Sequence, residues 1–281
     1  MDRQYEFGFV GGGNMAEGIV AAAVSKKLYQ PEEIIVSDPA ADRRRLFAET
    51  FGIEVTQDNR QVAAESERIV LAVKPQVFDE VMAGLADVMT CEKLVVSIMA
   101  GVGTKRIEAA LPIVEARVVR VMPNLPIKVG AGMAGICAGR YARDEDIVDV
   151  QDLFDAGGGT VVVADESLMD AVTAVSGSGP AYFYYFVEAM VAGGVACGLN
   201  EEDALALAEH TCLGAARMMI ETKERPAELR RKVTSKGGTT QAALEQMDEA
   251  DVGEAIRDAV RAAFQRGREL GALDKRVDGR A

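Results

Sequence analysis

The stretch Phe7-Gly-Phe-Val-Gly-Gly-Gly-Asn-Met-Ala16 decides the fold of the N-terminal half. A short apolar run leads straight into Gly11, Gly13 and Ala16, spaced as GxGxxA, and an amphipathic helical pattern follows. Each small residue answers a physical demand. Gly11 permits a tight turn, Gly13 lets the backbone approach a pyrophosphate, and Ala16 lets helix and strand pack closely. Free N–H groups and the helix dipole then attract the anion. The pattern predicts a dinucleotide whose pyrophosphate lies at Gly13, Asn14 and Met15.

Outward from that turn, apolar strand patterns at Glu6–Val10, Ile34–Ser37, Arg68–Val73, Lys93–Ile98 and Val118–Met122 alternate with helical ones. The helices are expected at Met15–Lys27, Asp42–Phe51, Gln76–Leu85 and Thr104–Leu111, with Pro31, Pro75 and Pro112 punctuating them. A strand pair, Gly132–Ala138 and Thr160–Val163, brackets a helix at Asp144–Ala156, and the sheet ends there. Strand and helix in alternation specify βαβ units and a parallel sheet. After Asp165 only good helix formers follow, at Pro180–Cys197, Glu201–Lys223, Pro226–Val233, Thr240–Met247 and Val252–Leu270. The expectation is an α/β chain, with a Rossmann-type parallel-sheet domain over residues 1–164 and an all-helical domain over residues 165–281.

Composition narrows the function. The 281 residues are 49 % hydrophobic, with 28 glycines and only 5 % aromatics, which suits close helix packing and tight turns. A formal net charge of -13 argues against a nucleic-acid groove or an anionic membrane surface as partner. Cys91, Cys137, Cys197 and Cys212 have neither metal-ligand spacing nor the density of a disulfide scaffold, so reduced thiols in a cytoplasmic protein are expected and no metal site is. The apolar stretch after Met1 is too short for a signal-peptide core.

Pro180–Leu199 is long enough to span a bilayer, yet Glu188, Gly193-Gly194 and three tyrosines interrupt it. Five of the fifteen aromatic residues, Tyr182 to Phe186, are consecutive and must point all round one helix. Such a helix has to be covered on every face. A second subunit supplies the cover most easily, so a homodimer is expected.

Candidate acids and bases are few. The sole histidine, His210, lies mid-helix, and no Ser–His–Asp order or HExxH motif occurs. A substrate that brings its own proton, such as a protonated C=N bond, fits that poverty. Three turns face a ligand on this reading. Ala72-Val73-Lys74-Pro75-Gln76 closes a strand at its carboxyl end, where open α/β sheets bind ligands. Ser176–Tyr182 opens the long apolar helix, and Thr234–Thr240 runs into a helix start whose N–H groups and hydroxyls suit a carboxylate. At the adenosine ribose, Asp38 favours NADH through the 2′-OH, whereas Ser37 and Arg43 favour NADPH through a 2′-phosphate.

Together these motifs resemble the pyrroline-5-carboxylate reductase family. The resemblance runs from Phe9 to about Leu270: GFVGGGNMAEGI at Gly8–Ile19, AVKPQ at Ala72–Gln76, SIMAGV at Ser97–Val102, RVMPN at Arg120–Asn124, GSGPAY at Gly177–Tyr182, and PAELRRKVTSKGGTTQAAL at Pro226–Leu244. It implies NAD(P)H-dependent reduction of 1-pyrroline-5-carboxylate to L-proline, the last step of proline synthesis, by an intertwined dimer that often assembles into decamers. It further implies a substrate pocket between the cofactor of one subunit and helical-domain loops that include the dimer partner. Ser235, Gly238, Thr239 and Thr240 would hold the substrate carboxylate, Thr240 would also meet the ring nitrogen, and Lys74, Pro75, Ala100 and Asn124 would line the nicotinamide. Two positions depart from the family pattern: Lys236 replaces a proline and Leu125 a threonine. Two alternatives stay open: a reductase of another cyclic imino acid, and a catalytically silent nucleotide-sensing dimer.

Overall fold

A computed structural model describes residues 5–277, with side chains to residue 271. The first part alternates β1 (Tyr5–Val10), α1 (Asn14–Ser25), β2 (Ile34–Ser37), α2 (Ala41–Phe51), β3 (Glu54–Thr56), α3 (Asn59–Glu65), β4 (Ser66–Leu71), α4 (Phe78–Leu85), β5 (Leu94–Ser97), α5 (Thr104–Ala110) and β6 (Arg117–Met122). β7 (Gly132–Ala138), α6 (Asp144–Asp155) and β8 (Gly158–Val162) complete it. The strands form one eight-stranded sheet in the order β3-β2-β1-β4-β5-β6-β7-β8. Every neighbouring pair is parallel except β6 and β7. Chain direction and connection thus reproduce the expected dinucleotide-binding sheet, extended by one antiparallel turn. The small edge strand β3 and the helix α3 are elements that the sequence pattern did not announce.

Why these runs are strands follows from burial on both faces. Along β1 and β2, Phe7, Phe9, Ile34 and Val36 point to one side, where Ile19, Phe47, Val150, Leu153 and Phe154 cover them. Val10 and Ile35 point to the other, against Val62, Phe78, Met82, Leu85 and Ile107. Successive side chains alternate between faces, so a strand covered twice must be apolar throughout.

A second run is helical: α7 (Met169–Val172), a π-helical turn at Thr173–Gly177, α8 (Gly179–Ala196), α9 (Glu201–Thr222), α10 (Pro226–Lys232), α11 (Thr239–Glu249) and α12 (Val252–Val277). No strand occurs among the described residues after β8. Asn200 starts α9 by accepting from the Asp203 amide at 2.8 Å.

The chain divides into two compact units, one comprising residues up to Ser178 together with those from Ala263 onward, the other Gly179–Ala262. In the first, Glu166 accepts three bonds. Its carboxylate accepts from the Thr104 amide at 2.8 Å and the Thr104 hydroxyl at 2.8 Å, which caps α5, and from the guanidinium of Arg120 at 3.1 Å. Arg120 sits on β6 with its side chain only 8 % exposed, so this pair neutralises a charge inside the sheet layer.

The second unit has almost no interior of its own: among its described residues only Gly179, Ala204 and Ala208 are buried. Phe183, Tyr184, Tyr185 and Phe186 of α8 are all exposed, Tyr185 to 75 %. No helix among the described residues is long and apolar enough to cross a membrane. Aromatic surface of this extent, in helices that bury so little in their own chain, is the mark of an association surface.

Candidate functional site

The carboxyl edge of the sheet is stitched together at the glycine-rich turn. The Gly11 amide donates to the Ser37 carbonyl at 2.9 Å, and the Ala72 amide donates to the Val10 carbonyl at 2.9 Å. Gly11 has φ +101°, and a Cβ there would lie 2.7 Å from the Ala72 carbonyl oxygen and 3.1 Å from a Val73 methyl. Only glycine satisfies both demands. Gly13 is different, because a Cβ on it would meet nothing within 4 Å. The open space lies directly over the start of α1. Gly13 is its N-cap, with no side chain capping the helix. The amides of Asn14, Met15 and Ala16 have no hydrogen-bond partner among the described residues. Uncapped N–H groups, a helix N-terminus and free space beside Gly13 fit a pyrophosphate.

One acid, Glu17, occupies that first turn. It is ion-paired to Arg43 at 2.7 Å and to Lys128 at 3.0 Å. Burial pushes its carboxyl up, but hydrogen bonds from Arg43 and Lys128 and their charges outweigh this and hold it below the usual value. Its charge is thereby compensated locally and does not oppose an anion at the helix start.

At the expected ribose end, the side chains serve the scaffold. Asp38 accepts from the Gly12 amide at 2.8 Å through one oxygen and from the Ala40 amide at 2.8 Å through the other. Arg43 donates to the Gly12 carbonyl at 2.7 Å, and Arg44 to the Asp38 carbonyl at 2.6 Å. Ser37 is fully buried, and its hydroxyl donates to Asn59 Oδ1 at 2.7 Å. Asp38 and Arg43 therefore clamp the glycine turn from outside. Asn59 was missed in the sequence, where only the Asp58-Asn59 helix-start pattern marks it.

Lys74 is exposed beyond the end of β4, and Pro75 opens a 3-10 turn at Pro75–Val77. Ala100 is exposed after β5. Asn124 is 9 % exposed and fully engaged. Its amide nitrogen donates to the Ser176 carbonyl at 3.1 Å, while its Oδ1 accepts from the Met133 amide at 2.8 Å. Asn124 thus ties the end of β6 and the start of β7 to the π-helical turn.

In the second unit, the loop before α11 is a compact turn. Gly238 donates to the Ser235 carbonyl at 3.1 Å, and Gly237, at φ +72°, donates to the Gln241 side chain at 2.7 Å. Gly238 is the N-cap of α11 and provides no side chain to cap it. The amides of Thr239 and Thr240 have no partner among the described residues. Ser235 and Thr239 are exposed and Thr240 half-buried. Backbone donors flanked by hydroxyls, without an acid nearby in the loop, suit a carboxylate. His210 lies on α9 in an open depression with Leu199, Asp203, Ala206, Leu207 and Thr211. It belongs to neither cluster.

A doubly wound sheet with a glycine turn at its carboxyl edge defines a dinucleotide-binding protein. Residues 6–101 match a family described as NADP oxidoreductase, coenzyme F420-dependent, and residues 166–270 one described as pyrroline-5-carboxylate reductase dimerisation. A pyrroline-5-carboxylate reductase of Synechocystis sp. is 45 % identical over 266 residues, spanning 95 % of this chain and 98 % of that protein. The structure of a pyrroline-5-carboxylate reductase from Coxiella burnetii has a TM-score of 0.90 at 38 % identity, covering 95 % of this chain and 98 % of that one. The Plasmodium falciparum pyrroline carboxylate reductase, solved with NADP bound, has a TM-score of 0.84 at 26 % identity, covering 96 % and 100 %. The chain belongs to the pyrroline-5-carboxylate reductase family.

Proposed function

We propose that this chain reduces 1-pyrroline-5-carboxylate to L-proline with NAD(P)H, the last step of proline synthesis. The observation that carries the reading is the pair of uncapped helix starts, one at α1 beside open space and one at α11 beside hydroxyls. The first suits a pyrophosphate and the second a carboxylate. Residues 1–164 serve the dinucleotide on this reading, and residues 165–281 dimerisation and substrate. Gly11, Gly13, Asn14 and Met15 hold the pyrophosphate, Ser37 and Asp38 form the ribose end, and Ala72, Val73, Lys74, Pro75, Ala100 and Asn124 surround the nicotinamide. Ser235, Gly238, Thr239 and Thr240 hold the substrate carboxylate.

When bound, the reduced nicotinamide supplies the hydride that ends on the ring carbon of the C=N bond. The side chains do the rest by placement. The imine is reduced as its iminium, the carboxylate form that reaches the protein taking its proton from water, so no strong general acid is required, and the Thr240 hydroxyl accepts from the ring N–H and stays with that nitrogen as it becomes an amine. Positioning of this kind contributes about 7–11 kcal/mol to such reactions.

The α8 aromatics support a homodimer, and we extend this to decamers built from dimers. Four unpaired cysteines support a cytoplasmic location. The test is a panel of cyclic imines, five- and six-membered, assayed with NADH and NADPH. Preferential turnover of 1-pyrroline-5-carboxylate with proline as product is expected. Preference for another ring would replace the substrate, and no turnover with any imine would overturn the reading.

A further inference from the structure

Residues 224–240 run against the charge of the chain. They hold five bases, Arg225, Arg230, Arg231, Lys232 and Lys236, against the two acids Glu224 and Glu228, a net of +3, so the remaining sequence sums to -16 within the formal total of -13. The structure leaves most of this charge uncompensated. Lys232 pairs with Glu224 at 2.5 Å. Arg225, Arg230, Arg231 and Lys236 are exposed and make no ion pair among the described residues.

Their place in the fold gives the charge a direction. Arg230, Arg231 and Lys232 form the last turn of α10, where they offset the partial negative charge of its terminal carbonyls. The chain then turns, with Gly238 donating to the Ser235 carbonyl, and α11 begins three residues after Lys236 with its amides uncapped. Three residues reach at most about 11 Å, close to the screening length of roughly 8–10 Å at moderate salt. A carboxylate at the start of α11 therefore lies within the field of Lys236, and the negative end of α10 is masked before it can oppose that field.

We propose that the segment Arg225–Lys236 is an electrostatic guide that draws a small carboxylate substrate to α11 in a protein whose overall charge repels anions. This rests on the reading of the α11 loop as the carboxylate site. A guide of this sort acts on capture and not on the hydride step, so it changes kcat/KM and leaves kcat alone.

The test measures kcat/KM for the imino acid at saturating cofactor across ionic strength, for the wild type, for Arg230→Gln/Arg231→Gln/Lys236→Gln, and for a control, Lys26→Gln/Lys27→Gln, at the exposed end of α1. Between low salt and several hundred millimolar, the wild type should lose about fivefold and the triple variant less than about twofold, with kcat unchanged within about twofold in both. The control should keep the wild-type slope. A triple variant that keeps it too, or a control that flattens it equally, overturns the guide while the reductase reading stands. Should the triple variant fail to fold, Lys236→Gln alone must still reduce the slope, or the proposal falls. Absence of any imine reduction by the wild type would instead overturn the reading beneath it.

Discussion

Replacing Glu166 by alanine should be among the most damaging single changes to stability outside the apolar core. Its carboxylate caps α5 through the Thr104 amide and hydroxyl, and it is the acid bonded to Arg120, whose side chain is 8 % exposed. Losing a helix cap costs about 1 kcal/mol. Leaving a buried arginine without its acid costs about 3–5 kcal/mol. Glu166 itself keeps 26 % of its side-chain surface, so water can enter the vacated space and reduce that second figure. A total of about 3 kcal/mol is therefore expected from the cap and charge losses together. Glu166→Gln preserves the shape and one acceptor and should cost roughly 1–1.5 kcal/mol, the loss of a charge-assisted bond.

Urea unfolding at fixed protein concentration measures both, since dimer stability depends on concentration. The double variant Glu166→Ala/Arg120→Met removes the stranded charge and should recover much of the loss, because buried ion pairs replaced whole by apolar side chains are often neutral. If Glu166→Ala shifts stability by less than about 1 kcal/mol, or the double variant is no better than the single, Arg120 does not depend on Glu166 for its neutrality and the reasoning fails.

Gly13→Val should weaken cofactor binding at least tenfold while the urea midpoint stays near that of the wild type, since a Cβ at Gly13 meets only open space; equal affinity by calorimetry would remove the pyrophosphate from α1. Thr240→Ala should lower kcat/KM by about tenfold to a hundredfold, at about 1.4 kcal/mol per factor of ten, and His210→Ala by less than about twofold. A histidine variant more damaged than the threonine one would restore the need for a strong general acid. The Glu17 carboxyl is held below its ordinary 4.5, so its bonds to Arg43 and Lys128 add stability that is fully present above that value and lost as pH falls through the lowered one. The difference in urea midpoint between wild type and Glu17→Gln should accordingly be constant near neutrality and vanish in acid. Burial raises the Cys137 thiol, so Cys91, which is exposed, should alkylate in the folded protein and Cys137 only after unfolding, as mass spectrometry would show.

What the sequence made legible is what local rules control. Strand, glycine turn and helix follow from apolar runs and from residues that tolerate φ +101° or a close carbonyl. The element missed in the sheet, β3, has three residues and sits at the edge, too short for alternation to register. The π-helical turn at Thr173–Gly177 was equally silent, because nothing in its composition separates it from an α-helix; what fixes it includes the bond from Asn124, 52 residues away.

The same limit governs the candidate site. Ser37 and Asp38 were singled out for their chemical type and Asn124 through the family resemblance, and neither says which way a side chain turns. In the fold, Ser37 faces Asn59, Asp38 holds the glycine turn, and Asn124 bridges β7 to the π-helical turn. Beside the exposed hydroxyls of Ser235 and Thr239, the groups left free to meet a ligand include backbone amides at α1 and α11, which every sequence carries alike. Their availability is decided by what is absent: Gly13 and Gly238 stand at positions where serine, threonine or aspartate would have capped the helix with its own oxygen. A reductase that binds two anions and needs no strong acid can be built from uncapped helix starts. The sequence reports that design only through its glycines and through the want of histidines.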